Sequence, residues 1–221
     1  MDEPPSNELT VVEVVTGKRR MQLVRLSDGR DFVFSEEACV RAGVRAGLPV
    51  REETLAGLEA SEQRVQAHDA ALRLLSHRSR SETEMRTRLT MRGIDPRVIE
   101  DEIERLRDAG LLDDAKFARA WVEDRKRLAP RGRRMLRYEL LGRGIAPEAV
   151  DEVTADVDDG ALALELARGR ARRTKTSDYE SFVTNVGGFL RRRGFSYDVV
   201  MKATKTAWEE VGKEREGPDS L

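Results

Sequence analysis

Apolar residues recur along this chain with two different periods. Residues 9–15, 21–26 and 31–34 are short runs rich in β-branched and aromatic side chains, separated by the turn signals Thr16-Gly17-Lys18 and Ser27-Asp28-Gly29. They predict a three-stranded β meander, a sheet too small to be stable without a helix against one face. Ser35 ahead of Glu36 and Glu37 predicts a cap and a short helix through about Ala42. Gly43, Gly47 and Pro49 then break the chain, and a longer helix is expected from about Glu52 to His77. Val65, His68, Leu72 and Leu75 would form its apolar stripe.

Beyond that helix the pattern repeats. Arg92-Gly93-Ile94, Arg143-Gly144-Ile145 and Arg193-Gly194-Phe195 align, with glycines about 50 residues apart. Counting back from each glycine, Met85, Leu136 and Val186 coincide, as do Leu89, Leu140 and Leu190. Counting forward, Ile99, Val150 and Val200 coincide, then Ile103, Thr154 and Thr204, then Leu106, Val157 and Ala207. Offsets of four and seven share one helix face, so each repeat buries the same surface. Each is read as helix, helix, glycine turn, helix, with first helices at about 65–77, 116–128 and 161–173. The glycines end helices, and Pro96 and Pro147 begin the next ones.

The stretch 106–118 joins two of these repeats. Gly110 can end a helix in the left-handed conformation, and Asp113 or Asp114 can cap the next, which makes the turn a rigid joint. A divalent metal on the Asp pair is the alternative, without a further carboxylate or histidine at useful spacing. His68 and His77, nine positions apart on a helix, cannot share a metal. The expected organisation is a tail at 1–8, a meander and short helix at 9–50, connecting helix at 51–64, three-helix repeats at 65–114, 115–160 and 161–212, and a tail at 213–221. The fold class is mainly α: tandem helix-turn-helix-like repeats stacked in an elongated array behind a small β meander.

Composition narrows the function. Charged residues reach 37% and aromatics 5%, a balance that suits solvent-laced helices better than a sandwich or barrel. The single Cys39 excludes an internal disulfide framework, and the acidic, Pro-bearing start does not read as a leader, so a cytoplasmic protein is expected. No apolar run approaches the roughly 18–20 residues that span a bilayer. Net charge is −1, but the charges come in blocks: 116–143 basic, 148–165 acidic, 168–175 basic. Basic faces of this kind suit a polyanionic or acidic partner. Arg131, Arg133 and Arg134 are read in the first turn of a helix starting at Pro130, where the dipole disfavours cations; Arg137 extends that face. Arg125, Lys126 and Arg127 precede it. Arg168, Arg170, Arg172, Arg173 and Lys175 form a second patch, and Arg191 to Arg193 a third. Trp121, Trp208, Phe117 and Phe189 are expected to pack between helices, with stacking on nucleobases the alternative. No phosphate loop, metal-ligand cluster or nucleophile with a base can be assembled, so no catalytic residue, cofactor or metal is expected.

Arg78-Ser79-Arg80-Ser81 with Glu84, Met85 and Leu89, Gly93-Ile94, Gly110-Leu111-Leu112-Asp113-Asp114 with Phe117-Ala118, then Arg125, Gly132, Leu136, Leu140 and Arg143-Gly144-Ile145 resemble the RecX family, regulators of the bacterial recombinase RecA. The likeness covers residues 65–150 well and the third repeat more loosely. Met85 stands where the family usually has Leu, and Gly187-Gly188 fall inside the third repeat's second helix and weigh against its continuity. The resemblance implies a non-enzymatic protein that binds RecA and its filament on single-stranded DNA; separately, a monomer is expected. It also implies that the protein inhibits strand exchange, ATP hydrolysis and co-protease activity in DNA repair, recombination and the SOS response, with weak direct DNA contact. A stand-alone nucleic-acid-binding helical protein is the alternative reading of the arginines. An elongated array should show a radius of gyration clearly above the compact value of about 17 Å; small-angle scattering at that value would rule out open stacking.

Overall fold

The computed structural model describes residues 8–175 and 178–216 and divides the chain into two compact units. The first comprises the chain up to Arg78 together with Met85–Leu111, and the second comprises Ser79–Glu84 with everything from Leu112 onward.

The first unit opens with β1 (Glu8–Thr16), β2 (Met21–Leu26) and β3 (Asp31–Ser35), the expected antiparallel meander. A fourth strand, β4 (Pro49–Arg51), pairs with the start of β1 and gives the order β3-β2-β1-β4. Three residues led by a proline carry no alternation to read, and the first position of an edge strand is where proline is tolerated. One face of the sheet buries Val11, Val24, Leu26 and Phe34 against Ala38 and Cys39 of α1 (Glu36–Ala42) and Leu55 and Leu58 of α2 (Glu52–His77). Ser35 caps α1, accepting from the Ala38 N–H at 3.3 Å. The nearly buried Glu62 of α2 accepts from the Ser35 N–H at 2.8 Å, tying α2 to the β3–α1 corner. Outside, Arg25 bridges Asp31 and Glu13 across the strands.

Further along α2 the buried face is not the expected stripe. Ala67, Ala70 and Ala71 are buried, while Val65 and Leu72 are 56% and 40% exposed. Three alanines give a flat surface on which α4 (Pro96–Asp108) packs, its Val98, Ile99, Ile103 and Leu106 supplying the volume. Apolar spacing marked a helix, but side-chain size chose its inner face. His68 lies beside that face, its Nδ1 2.8 Å from the buried Glu102 carboxylate. Asp95 caps α4 and Pro96 begins it.

The aligned positions are buried without exception: Met85, Leu136 and Val186, then Leu89, Leu140 and Leu190, then Ile99, Val150 and Val200 are each at most 2% exposed. The polar members of the next set are satisfied internally. Thr154 and Thr204 each donate a hydroxyl hydrogen bond to the carbonyl four residues back, Val150 and Val200, at 2.8 and 2.6 Å. Val157 reaches its buried place from beyond the end of α7 (Pro147–Thr154), not from the helix itself. In the third repeat the glycine pair breaks regularity as the sequence suggested. A π-helical turn, Val183–Gly187, separates α9 (Tyr179–Phe182) from α10 (Gly188–Arg192). A Cβ on Gly187 would sit 3.3 Å from Val200, so the missing side chain lets α11 (Tyr197–Glu216) lie close.

Within the second unit one fastening occurs twice. Asp113 caps α5 (Asp114–Leu128), accepting from the Lys116 N–H at 2.8 Å, while Asp114 accepts from the Glu82 N–H, also at 2.8 Å, at the start of α3 (Glu82–Thr90). Ser81 at the same helix start donates its hydroxyl to the Arg143 carbonyl at 2.7 Å. The next Asp-Asp pair divides its labour identically. Asp158 caps α8 (Asp159–Ala171), and Asp159 accepts from the Arg133 N–H at 2.8 Å at the start of α6 (Arg133–Leu141). The Gly132 N–H donates to the Arg193 carbonyl at 2.9 Å. Each helix start is thus pinned between the aspartate and the glycine turn of the following repeat. The Asp pair is a cap plus a tie.

Gly144 and Gly194 have φ of +77° and +87°, and a Cβ on either would run into Thr83 or Met135 of the docked helix start. Gly93 has φ +75° with open space around it. Gly93→Val should therefore cost only left-handed strain, about 1–2 kcal/mol. Gly144→Val should add an overpacking cost of about 1–3 kcal/mol. Equal losses of the two variants in urea unfolding would show that the close approach at Gly144 contributes nothing.

Candidate polyanion-facing arginine site

Most of the basic residues singled out by sequence turn out to have structural partners. In α5, Arg125 donates to Glu139 at 2.7 Å and lies 4.2 Å from the Trp121 ring centroid. Trp121 donates its indole N–H to the same carboxylate at 2.9 Å, and Arg143 covers the ring at 3.8 Å while pairing with Glu84. Lys126 and Arg127 pair with Glu123 and Asp124 on the exposed side of their own helix, interactions of little energetic weight.

The next group begins differently from the sequence reading. Helix α6 starts at Arg133 with Gly132 as its extended N-cap, so Arg131 precedes the helix instead of occupying its first turn. Gly132 can lie flat against Gly194 and cap at no steric cost, which delays the helix by three residues. Arg133 folds back to donate to the carbonyls of Ala155 and Val157 at 2.9 and 2.8 Å, where α7 ends and partial negative charge accumulates. Arg137 pairs with Asp151. Asp159 at the Arg133 N–H offsets the dipole conflict that had marked this turn. Arg134 remains exposed.

In the second patch, Arg168 makes two hydrogen bonds, 2.8 and 2.6 Å, to Glu210 of α11. Arg172, Arg173 and Lys175 are exposed beyond the end of α8, where cations suit the helix dipole.

The remaining arginines converge. Arg170 from α8 and Arg193 at the end of α10 lie over Phe189, and Arg131, from the segment before α6, and Arg192 are close enough to Arg193 to repel it. The Arg193 guanidinium lies 4.1 Å and that of Arg170 5.6 Å from its ring centroid. Burial, followed by repulsion from Arg131, Arg192 and Arg170, holds the Arg193 guanidinium below its ordinary pKa. Among the described residues the Nε of Arg131 and of Arg193, like that of Arg143, are buried without a hydrogen-bond partner. Glu139 lies 3.7 Å from Arg131 but already serves Arg125 and Trp121. Four guanidiniums and one shared carboxylate make a locally unbalanced cationic patch. A phosphate or carboxylate placed there relieves the repulsion and accepts planar, paired hydrogen bonds. Arg131, Arg170 and Arg193 are far apart in sequence, and nothing in their local patterns announces the meeting. The one usable signal is the repeat register, which sets Arg193 opposite Arg143 at the glycine turn that receives the segment holding Arg131.

Among the described residues no helix is long and apolar enough to cross a membrane. Two family models match the chain: RecX, first three-helix domain, over residues 67–106, and RecX, second three-helix domain, over residues 113–153. The regulatory protein RecX of Mycobacterium sp. (strain KMS) is 38% identical over 158 residues, covering 68% of this chain and 85% of that protein. The regulatory protein RecX of Mycolicibacterium smegmatis (strain ATCC 700084 / mc(2)155) is 37% identical over 187 residues, 79% of this chain and 93% of that one. A crystal structure of regulatory protein RecX superposes with a TM-score of 0.63 at 20% identity over 89% of this chain and 99% of that one. The structure of RecX from Lactobacillus salivarius gives 0.60 at 22% identity over 66% and 97%. With relatives this similar along most of both lengths, and a fold shared with solved members, the chain belongs to the RecX family of regulatory proteins.

Proposed function

We propose that this protein is a cytoplasmic regulator that binds the recombinase RecA and its filament on single-stranded DNA, without chemistry of its own. On this reading it restrains the filament's strand exchange, ATP hydrolysis and co-protease activity. Family membership supports the class of function, and the arginine cluster around Phe189 is the observation that supports a polyanionic or acidic docking partner. The residues offered for contact are Arg131, Arg134, Arg170, Arg172, Arg173, Lys175, Arg192 and Arg193. Arg125, Arg133, Arg137 and Arg168 hold the fold through their carboxylate and carbonyl partners. Direct binding of naked nucleic acid is the second reading, because the same guanidiniums suit phosphates.

Charge reversal separates these roles. Arg170→Glu with Arg192→Glu, both exposed, should leave thermal unfolding near wild type, weaken filament binding about tenfold or more and flatten its salt dependence. Arg133→Glu should lower stability instead, because the side chain that meets two carbonyls becomes an acceptor. If the double reversal binds RecA filaments with the wild-type affinity and salt slope, the cluster is not the foothold. Preference for naked over RecA-coated strands would favour the second reading.

The purified protein should lack ATPase activity and slow the ATPase of RecA filaments at or below stoichiometric amounts. Intrinsic hydrolysis that survives repurification would contradict a purely regulatory role.

A further inference from the structure

The three glycine turns have one backbone and two kinds of surroundings. At Gly144 and Gly194 the start of a preceding helix is seated. Ser81 or Gly132 donates to the carbonyl just before the glycine, and Thr83 or Met135 presses on the glycine itself. At Gly93 the φ is the same, +75°, but nothing lies within 4 Å of where a Cβ would stand. Among the described residues no hydrogen bond reaches the Arg92 carbonyl. Beside this turn opens a cleft of about 410 Å³ lined by Gln66, Asp69, Ala70, Arg73, Arg92 and Ile94.

The register explains the cleft. Arg92, Ile94 and Ala70 stand 51 positions before Arg143, Ile145 and Trp121. In the second repeat the Trp121 ring fills the space under the Arg143 guanidinium. In the first repeat Ala70 takes that place, as Ala171 does in the third, and at Ala70 the space is open.

We propose that this vacant socket, the Arg92–Gly93 turn with the cleft at Ala70, docks the N-terminal turn of an α-helix from a partner protein. The two filled copies specify the helix start, and the Trp121–Arg143 contact within the second repeat specifies what fills the cleft. A small or hydroxyl-bearing residue at the helix start donates to the Arg92 carbonyl, and a following side chain rests on Gly93. A large apolar or aromatic side chain enters the cleft to do for Arg92 what Trp121 does for Arg143. Helix α2 runs unbroken through this region, so the socket has no counterpart of Asp114 or Asp159, and the incoming turn brings its own cap. An open glycine turn that accepts a backbone donor suits a helix start, and the absence of a Cβ there allows close backbone approach.

The test rests on the RecA reading and uses RecA filaments assembled on single-stranded DNA. Ala70→Trp fills the cleft from within, and Gln66→Trp, at an exposed position on its rim, covers it without entering the core. The expected result is that wild type binds and the variants bind about tenfold or more weakly, with wild-type melting for at least the rim variant and an unchanged salt slope. The unchanged slope sets this loss apart from that of the arginine cluster. Equal binding by wild type and both variants overturns the docking inference and leaves the regulator reading standing. No binding by wild type removes both. Concentration-dependent self-association of wild type, abolished by the same variants, assigns the socket to a second copy and overturns its assignment to a partner.

Discussion

The repeats of the second unit depend on how closely a helix start can approach a glycine turn. The contact is made of backbone: an N–H or hydroxyl meets a carbonyl, an aspartate accepts the first free amide, and a missing Cβ leaves room for all of it. Helix starts carry four unsatisfied donors, and burying them between repeats without partners would cost more than the apolar surface gained nearby. Here the following repeat supplies the acceptors. That arrangement explains why Asp113-Asp114 and Asp158-Asp159 come as pairs: one member serves its own helix and the other serves its neighbour.

The same joints sort the arginines. Where a guanidinium finds a carboxylate or a helix-end carbonyl, as with Arg125, Arg133, Arg137, Arg143 and Arg168, its charge is spent inside the fold. At the joint between the second and third repeats four of them meet with one overcommitted glutamate, and among the described residues no further carboxylate pairs with them. Charge density along the sequence did not distinguish the two situations; carboxylate count in space does.

Much of this was legible in the residues because it is local or periodic. The caps at Ser35 and Asp113, the helix start at Pro96, the left-handed glycines and the fully buried register from Met85 to Thr204 follow from short-range chemistry repeated at a fixed spacing. What was missed depends on size and distance. The alanine face of α2 has less hydrophobicity than the exposed Val65 and Leu72, yet only alanines let α4 lie flat. Strand β4 is recognisable only by its partner. Arg131 left its expected helix because Gly132 is held by a residue about sixty positions away.

Helix α2 spans 26 residues without a break, its first half against the sheet and its second half against α4. Both attachments are read off one rod, so its length acts as a phase setting. Adding a single residue between Leu58 and Ala67 would turn everything upstream by about 100° around the axis and swing the sheet's packing face away from its mate. Two whole turns, about seven residues, nearly restore the angle. An insertion or deletion within α2 therefore preserves both attachments only in steps that keep the phase, a constraint the surface loops do not share.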